Sequence, residues 1–188
     1  MYAAILRATG NYQDSDIGLF EKEVRAREVL KHELLLRKGE VARSVYYLLE
    51  GAVRQYDIVS ESEYNTIDLH LAGDWFFNHE SLVAQRPSRL FIEAYTDCRF
   101  IEISLDTIHY LTGKSIAFLQ LNKVLEGAFQ RMQFFDQSMT PVEKYRYLLE
   151  NRPKVIQAFP LKIIASYLKI TPETLSRARN AVANGAIS

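Results

Sequence analysis

The spacing of apolar and polar positions changes several times along the chain, and each change predicts a different element. Ile17, Phe20 and Val24 share one helical face, so residues 14–28 are expected to form a short amphipathic helix capped by Asp14 or Asp16. From about Glu33 the pattern breaks into short apolar runs. Val45 to Leu49, Val53 to Val59 and Ile67 to Leu71 are separated by turn signals at Arg37-Lys38-Gly39-Glu40, Glu50-Gly51, Ser60 to Glu63 and Ala72-Gly73-Asp74. Residues 90–103 add alternating runs through Phe91, Ile92, Ala94, Tyr95, Phe100, Ile101 and Ile103. Strands this short, at this regular spacing, predict a barrel or sandwich. Residues 104–113 read as a helix started by Ser104 and packed on the barrel.

A helical period then takes over. Phe118, Leu121, Leu125, Phe129, Met132 and Phe135 recur at steps of three and four, so residues 115–139 are expected to form one helix. Such a helix would be about 36 Å long at 1.5 Å per residue, more than a small barrel covers. The stripe is therefore read as a two-fold dimer contact, with packing on the chain's own barrel as the alternative. Thr140 and Pro141 begin another helix, whose buried face is expected at Val142, Tyr145, Leu148 and Leu149, and Asn151-Arg152-Pro153 stops it.

The C-terminal part carries the most specific pattern. Ile163, Ile164, Ala165 and Leu168 sit at helical spacing, Lys169-Ile170 makes a break, and Thr171-Pro172-Glu173 restarts a helix. Threonine accepts from helix-start amides, proline has the required φ, and glutamate complements the positive end of the helix dipole. Leu175 and Ala178 form the expected buried face. Thr174, Ser176, Arg177 and Arg179 lie opposite. Helix, tight turn, helix is the arrangement that lays a second helix in the DNA major groove. Glu173 can accept from a cytosine amino group, and Arg177 can grip a guanine edge with two hydrogen bonds. Thr171, Ser176 and Arg179 suit phosphates.

Charge sharpens this picture. The chain is neutral overall, but residues 140–188 hold 8 Lys/Arg against 3 Asp/Glu, while residues 1–139 hold 15 against 20. A basic end suggests an anionic partner there. The single cysteine, Cys98, excludes an internal disulfide and a multi-cysteine cluster, and its alternating apolar surroundings make it a core residue. No run is long enough to span a membrane and no secretory signal is evident, so a cytoplasmic protein is expected.

The segment Ile164 to Arg177, I-A-S-Y-L-K-I-T-P-E-T-L-S-R, resembles the DNA-binding motif of the Crp/Fnr superfamily. Lys38-Gly39-Glu40, Tyr47 to Gly51, Gly73-Asp74 and Glu102-Ile103-Ser104 resemble that family's cyclic-nucleotide-binding-like domain in order and spacing. The resemblance implies an α+β chain: a jelly-roll β-barrel sensor domain over 1–114, a dimerisation helix over 115–139 and a (winged-)helix-turn-helix domain over 140–188. It also implies double-stranded DNA with a roughly palindromic operator and a second copy as partners, with RNA polymerase a candidate. DNA contacts fall on Thr171, Pro172, Glu173, Thr174, Ser176, Arg177 and Arg179. A ligand pocket would draw on Gly73, Asp74, Asn78, Glu80, Ser81, Arg86, Ser88 and Arg89.

Two departures qualify the resemblance. The family's Gly-Glu and Arg-Ser pairs, which hold the ribose and cyclic phosphate, fall here on Phe77-Asn78 and Ser88-Arg89. Asn78 lacks the carboxylate that accepts from a ribose hydroxyl, and the family's capping positions on the long helix fall near Phe129 and Gln130. Cyclic AMP is thus disfavoured, no cofactor is required, and a small-molecule effector is left open. The β wing is expected to be absent or reduced to the few residues past Asn180. The competing class is a cupin-like metal enzyme using His70, His79 and Glu80, whose spacing is poor because adjacent side chains diverge in a strand. A ligand-binding module with a protein-binding tail is the third reading. No nucleophile–base pattern or phosphate loop points to an enzyme.

Overall fold

The computed structural model describes residues 1–60, 63–125 and 139–185. Helices α1 (Tyr2–Arg7) and α2 (Asp14–Glu23) precede eight strands: β1 (Arg25–Val29), β2 (Leu34–Leu36), β3 (Ser44–Glu50), β4 (Ala52–Ser60), β5 (Glu63–Leu71), β6 (Trp75–Phe76), β7 (Phe91–Ala94) and β8 (Cys98–Ser104). Helix α3 (His79–Ala84) interrupts them, and α4 (Leu105–Lys114) follows. The strands form two antiparallel four-stranded sheets, β1-β8-β3-β6 and β2-β7-β4-β5. Non-sequential neighbours in both sheets make this the expected jelly roll.

Alternation explains how the roll closes. Leu48, Val53, Leu69, Phe76, Ile92, Phe100, Ile101 and Ile103 are buried, and Tyr46, Phe76 and Phe100 pack ring on ring. The β3–β4 turn needs Gly51 at φ +95°, where a Cβ would also collide with the Asp97 carbonyl. Cys98 is buried, with Sγ 3.2 Å from the carbonyls of Ala52 and Thr96, and burial raises its thiol pKa. It is a poor nucleophile as placed.

The structure corrects four expectations. Helix α2 has Gln13, not Asp14 or Asp16, as its N-cap residue and stops at Glu23, not residue 28. The Arg25 guanidinium caps the carbonyls of Glu21, Lys22 and Val24, and Arg25–Val29 pairs with β8 as an edge strand. Its exposed charges hid it: Arg27 reaches across to Glu102 at 3.1 Å. Strand β5 begins at Glu63, because the polar residues before Ile67 pair with β4 through bulges. The segment after Ser115 opens as a 3-10 turn, Ile116–Leu121, and residues 122–125 continue helically. Phe118 and Leu121 pack into the chain's own roll, with Phe118 against Tyr12 at 5.6 Å. Those two positions of the stripe are own-core residues. Leu125 is partly buried there, and Phe129, Met132 and Phe135 lie outside the described residues.

The C-terminal helices are α5 (Pro141–Asn151), α6 (Pro153–Ala158), α7 (Leu161–Tyr167) and α8 (Pro172–Ala183). Thr140 and Glu143 form a reciprocal capping box at the start of α5. The fourth correction is on α5, where Leu149 is 40% exposed and Lys144 is buried instead. The Lys144 ammonium offsets its burial by donating to the Leu168 carbonyl at 3.1 Å. Leu148, Val155, Phe159, Ile164, Ala165, Leu168, Leu175 and Ala178 form a second core that also takes in Ala52 and Leu69 of the roll.

Candidate nucleic-acid interface

Leu168 is the C-cap of helix α7, and Lys169 takes the left-handed conformation at φ +58°. The Ile170 amide then donates to the Ala165 carbonyl at 3.0 Å, closing the end of α7 in a Schellman arrangement. Ala165, fully buried, lets α7 and α8 approach. Thr171 caps α8 by accepting from the Thr174 amide at 3.2 Å, and Pro172 opens the helix. Leu175 and Ala178 turn inward. Thr171, Pro172, Glu173, Ser176, Arg177 and Arg179 are exposed, and Thr174 is half-buried beside the cap. The Glu173 carboxyl is held below the ordinary range by the helix-start backbone, the Thr171 hydroxyl and Arg177. It is an anion at neutral pH, and so an acceptor.

The residues expected to line a ligand pocket divide into three groups. Asn78, Ser81 and Ser88 are buried and bonded to one another: Asn78 Nδ2 donates to Ser88 Oγ at 2.7 Å, and Asn78 Oδ1 accepts from the Ser81 amide at 3.0 Å. Ser81 Oγ in turn bridges the Ala42 amide and the Arg86 carbonyl, and Ser88 Oγ donates to Leu90. Glu80, Arg86 and Arg89 are exposed. Gly73 and Asp74 lie at the β5–β6 turn, where Asp74 accepts from Arg152 at 2.6 Å. Of the metal-enzyme residues, His70 lies buried on β5, 3.0 Å from Gln55 and 3.5 Å from Asp68, while His79 and Glu80 begin α3. Among the described residues no group of three or more His, Cys, Asp or Glu is arranged to hold a metal.

Sequence reasoning missed the contact between the two cores. Ser166 Oγ accepts from the Thr66 amide at 2.8 Å and donates to the Tyr64 carbonyl at 3.0 Å. Lys169 Nζ donates to Asn65 Oδ1 and the Thr66 carbonyl. Burial, with Lys144 nearby, lowers the Lys169 pKa to about 8. Beside this seam lies a cleft of about 320 Å³, lined by Arg54, Tyr64, Lys162, Ile163, Ile170 and Pro172 among others. No sequence period announces such contacts, because their partners are about a hundred residues apart.

Residues 26–114 match the family model described as the cyclic nucleotide-binding domain. The chain is 30% identical over 90 residues to the fumarate and nitrate reduction regulatory protein of Yersinia pestis, covering 48% of this chain and 35% of that one. It is 26% identical over 168 residues to an anaerobic regulatory protein of Haemophilus influenzae, covering 81% of this chain and 65% of that one. It thus spans less than two thirds of the length of either relative. The structure of FixK2 from Bradyrhizobium japonicum superposes with a TM-score of 0.67 at 23% identity, over 87% of this chain and 86% of that one. No helix among the described residues is long and apolar enough to cross a membrane. The order of elements, the helix-turn-helix and these likenesses agree: residues 26–114 match the cyclic nucleotide-binding domain, and the chain has the fold of, and is similar to, regulators of the Crp/Fnr superfamily.

Proposed function

We propose that the chain is a sequence-specific DNA-binding transcription regulator that acts as a homodimer and not as an enzyme. The observation that carries this reading is the α8 surface. A capped helix buries Leu175 and Ala178 and turns Glu173, Ser176, Arg177 and Arg179 to solvent. Glu173 and Arg177 read base edges, and Thr171, Ser176 and Arg179 hold phosphates. Relatives named as regulatory proteins support the same reading. The functional division follows as a sensor over 1–114, a dimerisation segment over 115–139 and a DNA-binding unit over 140–188. In a dimer the two α8 helices meet successive major grooves, so the operator is roughly palindromic. RNA polymerase is the partner a regulator of this kind would address, in the cytoplasm.

A small effector in the β-roll fits a cyclic nucleotide-binding domain, but cyclic AMP does not fit these residues. Asn78 offers an amide where a ribose-binding carboxylate is needed, and its two polar atoms already serve Ser81 and Ser88. Selection of bound duplexes from a random pool tests the reading: a palindromic consensus is expected, and absence of any enriched sequence contradicts it.

A further inference from the structure

We propose that Arg152 is a positioning residue for DNA recognition, fixing the helix-turn-helix to the β-roll through the outer edge of β5. The inference rests on the DNA-binding reading above and goes beyond it.

Strand β5 ends its sheet, so among the described residues the polar groups on its outer side have no strand to pair with. The C-terminal unit supplies them. Arg152, at the junction of α5 and α6, has a side chain only 17% exposed. Its Nη2 donates to the Leu69 carbonyl at 2.9 Å and to Asp74 at 2.6 Å, and Nη1 lies 3.8 Å from Asp68. On its other side Nη1 donates to the Tyr167 hydroxyl of α7 at 3.3 Å. The guanidinium therefore holds the roll and α7 at once. Burial disfavours its charge, but Tyr167, Asp74 and Asp68 outweigh that and raise its pKa. A planar donor with five N–H groups suits such a many-sided junction better than an ammonium does.

The same seam continues to the recognition helix. Ser166 and Lys169 bond Tyr64, Asn65 and Thr66, and Lys169 stands two residues before the Thr171 cap. Tyr95 of the roll packs on Phe159 at 4.8 Å. The start of α8 is thus held within a few residues of a bonded contact with the roll. A palindromic site demands two recognition helices about 34 Å apart in fixed orientation. A unit loosened from the roll keeps its charges but loses that register, so specific binding suffers and non-specific phosphate binding does not.

The test uses the full chain and an operator selected by the wild type. Affinities for that operator and for an unrelated duplex of equal length are measured at one salt concentration. Arg152→Ala is expected to weaken operator binding at least tenfold while non-specific affinity stays within twofold. Arg152→Lys should recover part of the loss, and the Thr66 amide should exchange its hydrogen at least tenfold faster in Arg152→Ala. Lys169→Gly provides a second variant that removes the ammonium without adding backbone strain, since glycine accepts φ +58°. It should weaken operator binding severalfold. Operator binding unchanged in both variants would overturn the inference, as would equal loss of specific and non-specific binding in a folded variant. A wild type that selects no DNA would overturn the DNA-binding reading itself, and the inference with it.

Discussion

The roll and helix α8 both carry polar residues where a function was expected, but they use them in opposite ways. In the roll, Asn78, Ser81 and Ser88 face inward and satisfy one another. On α8, Glu173, Ser176, Arg177 and Arg179 face outward, with the helix held from behind by Leu175 and Ala178. A buried hydrogen bond to a neighbour is costly to give up, because each separated partner must then be satisfied again. An exposed arginine gives up only water. The comparison teaches that a polar residue in a family's ligand position indicates ligand binding only when its bonds are free to be exchanged.

The largest effect that can break the comparison is electrostatic. If α8 and its neighbours neutralise about four phosphates per dimer, operator affinity should fall about 100-fold between roughly 50 and 200 mM salt. A flat salt dependence, measured by fluorescence anisotropy, would remove the outward face from the account. Next comes the inward network. Asn78→Ala removes the cap of α3 and a partner of Ser88, and should cost about 1–2 kcal/mol in thermal or urea unfolding. A loss near zero would mean that the network is loosely held and open to a ligand.

A smaller effect concerns acid. Glu93 is buried, which raises its pKa, but hydrogen bonds from His32 and Arg54 at 2.6 and 2.9 Å outweigh burial and set it below the ordinary carboxylate range. Folded Glu93 therefore binds its proton less readily than the unfolded chain does. Its stabilisation is complete above the usual carboxylate pKa and is lost as pH falls through the lowered value. Glu93→Gln should flatten the acid limb of a stability–pH curve. The smallest expected effect is none: millimolar cyclic AMP should leave the melting temperature unchanged, whereas binding to the folded state would raise it.

How much of this was legible in the sequence depended on the range of the interaction. Local signals were sufficient for the Thr140-Pro141 and Thr171-Pro172 helix starts, the Ser104 cap of α4 and the runs that became β3 and β4. The exposure of six of the seven contact positions expected on α8 and its cap, all but the half-buried Thr174, followed from its apolar spacing. Elements defined by distant partners were not legible. β1 exists because β8 pairs with it, and its own residues alternate poorly. Phe118 and Leu121 fit a dimer stripe by spacing, yet the roll's own core receives them. Arg152 looked like the end of a helix, while its bonds run to Leu69 and Asp74, 83 and 78 residues away.

The central claim is that the outward face of α8 separates base reading from phosphate holding. Its most direct measurement compares Arg177→Ala with Arg179→Ala on an operator series in which each guanine of a half-site is replaced in turn. Arg177→Ala should lose about 1–3 kcal/mol on the parent site and become indifferent to one guanine position. Arg179→Ala should weaken every member of the series by the same factor and lower the salt dependence. Equal, position-independent losses in both variants would contradict the account.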